Sequence, residues 1–216
     1  MYFQYDEVAT EYLKCKDKRL GAVIDTLGHI DRAIDTDLFA AVVHHIIGQQ
    51  ISTKAQETLW RRMQDGLGKV TADTLLTAGR EKIQSFGTTF KKADYILAFA
   101  KRVHDGTFDI AAIERMTDED AIASLVTLPG IGVWTSEMLL LFCLQRPDIL
   151  SYGDLAILRG MRMVYHHRKI DKKTFDMYRR RLSPYGSVAS LYFWAVAGGA
   201  IPELKDYAPK KKRTRP

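Results

Sequence analysis

The sequence predicts an all-α protein in which two helical lobes lie around a cleft. Apolar residues recur at the three- and four-residue spacing of amphipathic helices along most of the chain, for example at Tyr95, Phe99 and Val103. No segment alternates apolar and polar residues between hairpin turns, as a half-buried strand would. With 216 residues, the chain is long enough for one large domain or for two small lobes.

Eight segments carry the helical spacing strongly enough to be placed in order. They are residues 37–47, 52–63, 90–103, 118–126, 134–144, 155–165, 172–182 and 187–197. About ten helices are expected in all. Ser52 and Thr117 stand where N-caps are expected, and acidic residues follow Thr117 in the first turn of its helix.

These elements predict a central lobe over residues 36–146. Residues 1–35 and 147–208 are expected to form the second lobe, and residues 209–216 a basic tail. The two breaks within the most apolar region are the Pro-Gly-x-Gly turn at 129–132 and the Pro-Asp pair at 147–148.

Composition excludes several protein classes. Hydrophobic residues make up 46% and charged residues 27% of the chain, which is the balance of a globular protein and excludes collagen-like and disordered chains. Cys15 and Cys143 form neither a disulfide framework nor a CxxC metal site. No signal peptide and no apolar run of about 20 residues is present. We therefore expect a cytoplasmic protein, associated with the nucleoid if its source is bacterial.

The net charge of +6 is unevenly distributed. The tail at 209–216 carries five basic residues and no acidic one, and residues 159–181 carry nine basic residues against Asp171 and Asp176. The remainder of the chain therefore sums to −6. This polarity favours a polyanionic partner for the C-terminal portion. The alternative is a solvated helix face followed by a tail.

The most specific segment is the hairpin, residues 128–134, with the sequence LPGIGVW. The spacing predicts that a helix ends at Leu128 and that the next helix follows the Pro-Gly-x-Gly turn. Glycines permit a close approach by another backbone, and the N-terminus of the new helix offers N–H groups to a phosphate. This helix-hairpin-helix pattern is typical of sequence-independent nucleic-acid binding. The alternative is a tight turn that only packs.

Asp154 lies 22 residues after Gly132 and opens an apolar helix. A carboxylate in that position is more often a plain N-cap than a catalytic group. Its pairing with the upstream hairpin is what suggests a second role.

Together these features resemble the helix-hairpin-helix/Gly-Pro-Asp superfamily of DNA glycosylases, and most closely its alkylated-base branch, the DNA-3-methyladenine glycosylase II enzymes. The similarity spans roughly residues 38–194. Compared with the longer members that it resembles, the chain is expected to have no N-terminal β domain. It includes GQQIS at 48–52, which resembles the DNA-penetrating loop and is called the wedge loop below. It also includes FGTTFKKA at 86–93 and PYGSVASLYFW at 184–194.

The resemblance implies a hydrolase of base excision repair that acts on a base flipped out of double-stranded DNA. It implies that Asp154 is the catalytic carboxylate, placed near the positive charge that develops on the sugar. Alkylated purines of the 3-methyladenine and 7-methylguanine type are the expected substrates. Bifunctional members carry a lysine at the position of Trp134, and an indole cannot attack C1′ of the sugar. We therefore expect no AP-lyase activity.

The resemblance also implies the remaining site residues. The base pocket is expected to be aromatic because alkylation at N3 or N7 makes a purine cationic. Its candidate residues are Trp134, Met138, Trp194, Tyr152 and Tyr185. The candidates for DNA contact are Gln49, Gln50, Ile51 and Ser52 in the wedge loop, and Pro129, Gly130, Ile131 and Gly132 in the hairpin.

Within the wedge loop, Gln50 aligns best with the side chain that fills the hole in the base stack, and Ile51 is the near alternative. Gln49 and Gln50 could instead simply cap the preceding helix. No cofactor is expected to be required, although carbonyls of Leu128 and Ile131 are candidates to hold a structural Na⁺ or K⁺. A monomer is expected. The pairs His44-His45 and His166-His167 lack metal-site spacing and are interpreted as structural or surface residues.

Two alternatives stay open from the sequence. A non-catalytic DNA-binding module would keep Gly130 and Gly132 but would need no Asp154. A glycosylase for another lesion, such as hypoxanthine, ethenoadenine or oxidised guanine, would keep the same motifs.

Overall fold

The computed structural model describes residues 1–209, and within that range the protein is helical. It contains eleven α-helices and one short 3-10 helix. The only β feature among the described residues is an isolated antiparallel bridge between Tyr2 and Ala33. The prediction of an all-α fold is confirmed.

The helices follow one another without intervening strands over the described range. They are α1 (Glu7–Lys16), α2 (Lys18–Leu27), α3 (Leu38–Gly48), α4 (Thr53–Leu67), α5 (Ala72–Ser85), α6 (Phe90–His104), the 3-10 helix (Ala111–Arg115), α7 (Asp118–Leu125), α8 (Val133–Phe142), α9 (Leu155–Tyr165), α10 (Lys172–Leu182) and α11 (Gly186–Ala197). The eight predicted segments each coincide with one helix. Helices α1, α2 and α5 have no counterpart among them, and α5 is interrupted at Gly79, which has a φ of 74°.

Both predicted N-caps are confirmed. The hydroxyl oxygen of Ser52 accepts from the backbone N–H of Ala55 at 3.3 Å, and that of Thr117 accepts from the N–H of Asp120 at 3.1 Å. Each bond satisfies one of the backbone donors that a helix N-terminus leaves unpaired. The starts of α4 and α7 are therefore fixed by local sequence.

The chain divides into two compact units. One is Asp35–Leu144, and the other is Met1–Ile34 together with the chain from Gln145 onward. The sequence placed the corresponding limits at 36 and 146. The Asp35–Leu144 unit, called the central unit here, contains α3 to α8. Its core is mainly aliphatic and contains an aromatic cluster, in which Phe99 of α6 stacks on Phe39 at 4.8 Å and meets Phe108 edge-on at 6.1 Å.

The other unit, called the terminal unit, contains α1, α2 and α9 to α11. Helices α9 and α11 pack along each other at a very close crossing. A Cβ at Gly160 of α9 would lie 2.2 Å from the carbonyl oxygen of Phe193 in α11, so only glycine fits there. The start of α11 is held by the Asp148 carboxylate, which accepts from the Ser183 hydroxyl at 2.6 Å and from the Gly186 N–H at 3.0 Å.

Among residues 1–209 no helix has the length and apolar character that crossing a membrane requires. The basic tail predicted at 209–216 lies, except for Pro209, outside the described residues.

Candidate active site

The hairpin of the central unit begins earlier than the sequence predicted. Helix α7 ends at Leu125, one residue before the end of the predicted segment 118–126 and three residues before Leu128, where the hairpin pattern placed the end of the helix. The reason is that the next residues form tight turn bonds, from the Thr127 N–H to the Ser124 carbonyl and from the Leu128 N–H to the Leu125 carbonyl, both close to 3 Å. Short i→i−3 bonds of this kind end a helix. The connection between α7 and α8 is therefore longer than expected.

The turn itself has the geometry that glycine allows. Gly130 has a φ of 84°, in the left-handed region, and the Ile131 N–H donates to the Leu128 carbonyl at 3.1 Å. The N-cap of α8 is Gly132, which has no side chain to accept from the first turn. Pro129, Gly130 and Gly132 are exposed and Ile131 is buried. The exposed start of α8 presents the positive end of a helix dipole, which can hold an anion such as a phosphate.

The wedge loop connects α3 to α4 in the same unit. Gln49 is the C-cap of α3, and its side-chain Nε2 donates to the Gly130 carbonyl of the hairpin at 2.5 Å. Gln50 is exposed and has a φ of 57°, which is unusual for a residue with a side chain. Ile51 is 37% exposed. The loop therefore presents the side chains of Gln50 and Ile51, whereas that of Gln49 is bound within the protein.

The wedge loop and the hairpin line one pocket of about 980 Å³. Gln49, Gln50, Ile51, Gly130 and Trp134 are among its lining residues. The structure thus brings together five of the residues that the sequence assigned to DNA and base contact. Trp134 is 44% exposed, so part of its side chain lies at the surface of this pocket.

His45 lines the same pocket, although the sequence suggested only a structural or surface role for it. It lies in the last turn of α3 and meets the Trp134 ring edge-on, with centroids 6.5 Å apart. Burial, and secondarily the neighbouring His44, lowers the pKa of His45 to about 4. The imidazole is therefore neutral near pH 7. The position of His45 along α3 did not indicate a functional role. Its contact with Trp134 joins α3 to α8, which is distant in sequence, so no local pattern predicts it.

Lys91, Lys92 and Tyr95, from the first turns of α6, line this pocket as well. The sequence pointed to their segment at 86–93 without assigning individual roles. The Lys92 ammonium donates to the carbonyls of Ile47 and Gln49 at 2.8 and 2.7 Å. Burial lowers the pKa of Lys92.

Asp154 belongs to the terminal unit and is the N-cap of α9. Its Oδ1 accepts from the N–H groups of Ala156 and Ile157 at 2.8 and 2.9 Å. The residue is only 7% exposed. The two bonds hold the carboxylate in one orientation at the start of α9, one face of which is buried. The capping interpretation of Asp154 is confirmed, and its catalytic role stays a prediction.

The other predicted pocket residues occupy different surroundings. Met138 lies in α8 one turn after Trp134 and is buried. Tyr152 is 37% exposed and meets Phe175 edge-on at 5.1 Å. Tyr185 packs edge-on against Tyr12 and lines a smaller pocket of about 450 Å³ within the terminal unit. Trp194 is half-buried in α11. Their part in a base pocket stays a prediction.

The basic stretch at 159–181 is partly neutralised by acids of its own unit. Arg162 makes two bonds to the Asp206 carboxylate, at 2.8 and 2.7 Å, and thereby lowers the pKa of that carboxyl. Arg181 donates to Asp17 at 3.0 Å. These pairs reduce the charge that this stretch can offer to a polyanion.

The chain matches a known family over most of its length. The model of the HhH-GPD superfamily, described as base excision DNA repair proteins, matches residues 43–184. A crystal structure of a DNA-3-methyladenine glycosidase from Bacillus halodurans has 29% sequence identity and a TM-score of 0.85, and the match covers 96% of this chain and 97% of that one.

Two relatives extend the comparison. DNA-3-methyladenine glycosylase 1 of Schizosaccharomyces pombe is 27% identical over 182 residues, which cover 80% of this chain and 78% of the relative. The Bacillus subtilis protein YfjP is 24% identical over 186 residues, which cover 81% of this chain. The match spans 64% of the length of YfjP, slightly under two thirds.

Proposed function

The chain belongs to the HhH-GPD superfamily of base excision DNA repair proteins, and on this premise we propose that it is a DNA glycosylase that removes alkylated purines from double-stranded DNA. The observation that carries the proposal is the near full-length match to the Bacillus halodurans DNA-3-methyladenine glycosidase. The exposed Trp134 ring beside a neutral His45 supports it, because such a site accepts a flat cationic base without charge repulsion. Bases of the 3-methyladenine and 7-methylguanine type are the proposed substrates.

In this proposal the Asp154 carboxylate stabilises the positive charge that develops on the sugar as the N-glycosidic bond breaks. It also orients the water that attacks C1′. The two backbone N–H bonds to Oδ1 fix the side-chain rotamer, so no reorganisation is needed during the reaction. The departing base takes the bonding electrons, and methylation makes it a better leaving group because it leaves without net negative charge.

We further propose that the enzyme is monofunctional. Trp134 stands where bifunctional relatives carry the lysine that forms a Schiff base, and an indole has no basic amine. Two lysines line the pocket: Lys92 is bound to two backbone carbonyls, and the Lys91 ammonium lies over the Tyr95 ring at 5.7 Å from its centroid. Hydrolysis by water, with the DNA strand left intact, is therefore the proposed outcome.

The hairpin and the wedge loop are the proposed contacts with double-stranded DNA. The exposed N-terminus of α8 binds a phosphate, and Gln50 with Ile51 faces the space that the extruded base leaves. The Leu128 carbonyl uses one lone pair for the Ile131 N–H, which leaves the second for a monovalent cation. A Na⁺ or K⁺ held by the carbonyls of Leu128 and Ile131 would add positive charge at the phosphate. A monomer close to the nucleoid suits this function.

The decisive experiment measures release of methylated bases from alkylated duplex DNA by the wild type and by Asp154→Asn. We expect release by the wild type only, while both proteins bind abasic-site DNA. Binding by both proteins with release by neither would instead support a non-catalytic DNA-binding module. Release of hypoxanthine, ethenoadenine or oxidised guanine in place of methylated purines would overturn the proposed substrate class.

A further inference from the structure

We propose that Gln49 is a positioning residue that fixes the wedge loop in register with the hairpin. It thereby couples the segment that enters the base stack to the segment that holds the DNA backbone. The coupling is a property of the free protein, whereas its catalytic consequence rests on the proposed function. Gln49 itself then does not enter the DNA, although the sequence had grouped it with the DNA-facing residues.

The first observation is the bond from the Gln49 side chain to the hairpin. The amide Nε2 donates to the Gly130 carbonyl across 81 positions of sequence. The backbone of Gln49 is extended, with φ −60° and ψ 129°, so the side chain leaves α3 at its very end. A side-chain amide that bonds a backbone carbonyl in this way fixes the separation of two segments that are otherwise joined only through the fold.

The second observation is that Lys92 holds the same residue from another side. Its ammonium donates to the backbone carbonyls of Ile47, in the last turn of α3, and of Gln49, the C-cap of that helix. A cation at the C-terminus of a helix is favoured by the helix dipole, and each bond to a charged donor is stronger than a neutral one. The backbone of Gln49 is therefore anchored, and only its side chain has to span to the hairpin.

The third observation is that α6 contacts the hairpin as well. Gly130 lies so close to the Tyr95 ring that a Cβ there would be 2.6 Å from Cδ2 of the tyrosine. Lys92 and Tyr95 are three residues apart on α6 and so project from neighbouring positions on one side of the helix. Helix α6 thus contacts the wedge loop through Lys92 and the hairpin through Tyr95. The Gln49 side chain joins the wedge loop directly to the hairpin, so each of the three segments contacts the other two.

These contacts give the residues of the wedge loop different roles, with Gln49 bound to the protein and the residues after it exposed. Because Gln49 is bound on its side chain and on its carbonyl, the exposed residues that follow it are held in place. A displacement of about 1 Å at a reacting centre costs on the order of a hundredfold in rate. A rigid link between loop and hairpin therefore favours extrusion of a base at the correct position relative to the gripped phosphate.

The test compares Gln49→Glu and Gln49→Ala with Gln64→Ala. Glutamate is isosteric with glutamine but cannot donate when ionised, so it removes the bond to Gly130 with little change in shape. Gln64 is an exposed glutamine of α4 in the same unit and serves as the matched control. The first readout needs no DNA and consists of the backbone amide shifts of Gly130 and Ile131 in the free protein. We expect both Gln49 variants to move these shifts and Gln64→Ala to leave them unchanged.

The second readout is functional. At saturating enzyme, we expect both Gln49 variants to slow single-turnover base release by about tenfold, irrespective of the base opposite the lesion. Unchanged hairpin shifts in Gln49→Glu and Gln49→Ala would overturn the proposal, as would a rate loss that depends on the opposite base, because that result would indicate direct DNA contact. If the Gln49 variants move the hairpin shifts but the wild type releases no methylated base, the coupling is upheld and the proposed function is refuted.

Discussion

The imidazole of His45 and the indole of Trp134 meet edge-on, with ring planes at 81° and centroids 6.5 Å apart. Trp134 is also 44% exposed, so part of the indole lies at the surface of the pocket. The contact places a titratable ring at the wall of the pocket, where its protonation state matters to a cationic ligand. A neutral His45 lets such a ligand approach, and a protonated one would repel it.

Stability should fall with acid partly because of His45. Its pKa is lowered from 6.5 to about 4 in the folded protein, so the unfolded state binds more protons between these values. Stability therefore rises with pH across this window and is fully regained above pH 6.5. The free energy of unfolding should be lower at pH 4 than at pH 7, and His45 should contribute up to about 2–3 kcal/mol of this difference. His45→Phe should remove that contribution. Urea unfolding at the two pH values measures it, with the exposed His29→Gln as control.

The two roles of Asp154 are separable by substitution. Asparagine is also a good N-cap, so Asp154→Asn should retain folding stability to within about 0.5 kcal/mol, whereas Asp154→Ala should lose about 1 kcal/mol. Both should reduce single-turnover base release by about 10²-fold or more. Thermal unfolding and base release measure the two effects. Asp171→Asn, at the N-cap of α10, is the matched control and should release bases at the wild-type rate.

Trp134 should contribute to release of the base, and the enzyme should not cleave the DNA strand. Trp134→Ala should slow base release by roughly 2- to 30-fold, the equivalent of the 0.5–2 kcal/mol of a cation–π contact. The wild type should leave abasic strands intact in the absence of added base, and borohydride should trap no covalent complex. Nicking or trapping would contradict the monofunctional assignment.

The two hairpin glycines should respond differently to alanine. Gly130→Ala meets Tyr95 and forces alanine into φ 84°, so we expect it to cost about 2 kcal/mol or more of stability. Gly132 has φ −103° and open space where a methyl group would lie, so Gly132→Ala should leave the unfolding free energy within about 0.5 kcal/mol. It should nevertheless weaken duplex binding by about tenfold, because the methyl group obstructs the approach of a phosphate. Chemical unfolding and fluorescence anisotropy distinguish the two.

Deletion of residues 210–216 should affect general DNA affinity. It removes five positive charges, so the dependence of log K on log salt should become shallower. Single-turnover base release at saturating enzyme should change little, since the proposed site residues remain. A large loss of that rate would show that the tail takes part in the reaction itself.

Local features of the fold follow directly from the sequence. The helical spacing predicted the position of eight helices, and Ser52, Thr117 and Asp154 each cap the helix that their residue type suggests. The end of α7 was one residue in error in the predicted segment 118–126 and three residues in error in the hairpin pattern, because Val126 to Leu128 are compatible with either state. The hairpin and the wedge loop were recognisable because their glycines and polar residues interrupt apolar helices.

The pairing of residues distant in sequence could not be predicted. Nothing near His45 indicates that it meets Trp134, and nothing near Gln49 indicates that its amide reaches Gly130. Both contacts depend on how α3, α6 and α8 pack, which is a property of the whole central unit. The same is true of the basic stretch at 159–181, where Asp17 and Asp206, outside that stretch, neutralise charges that appear available from composition alone.

The pair of bonds between Arg162 and Asp206 has a topological consequence for the terminal unit. It ties the segment that follows α11 back to α9, the helix that begins after Asp154. The two residues are 44 positions apart, and α10 and α11 lie between them in the sequence. The pair therefore closes a loop that contains both helices, and it limits how far the segment around Asp206 can separate from α9.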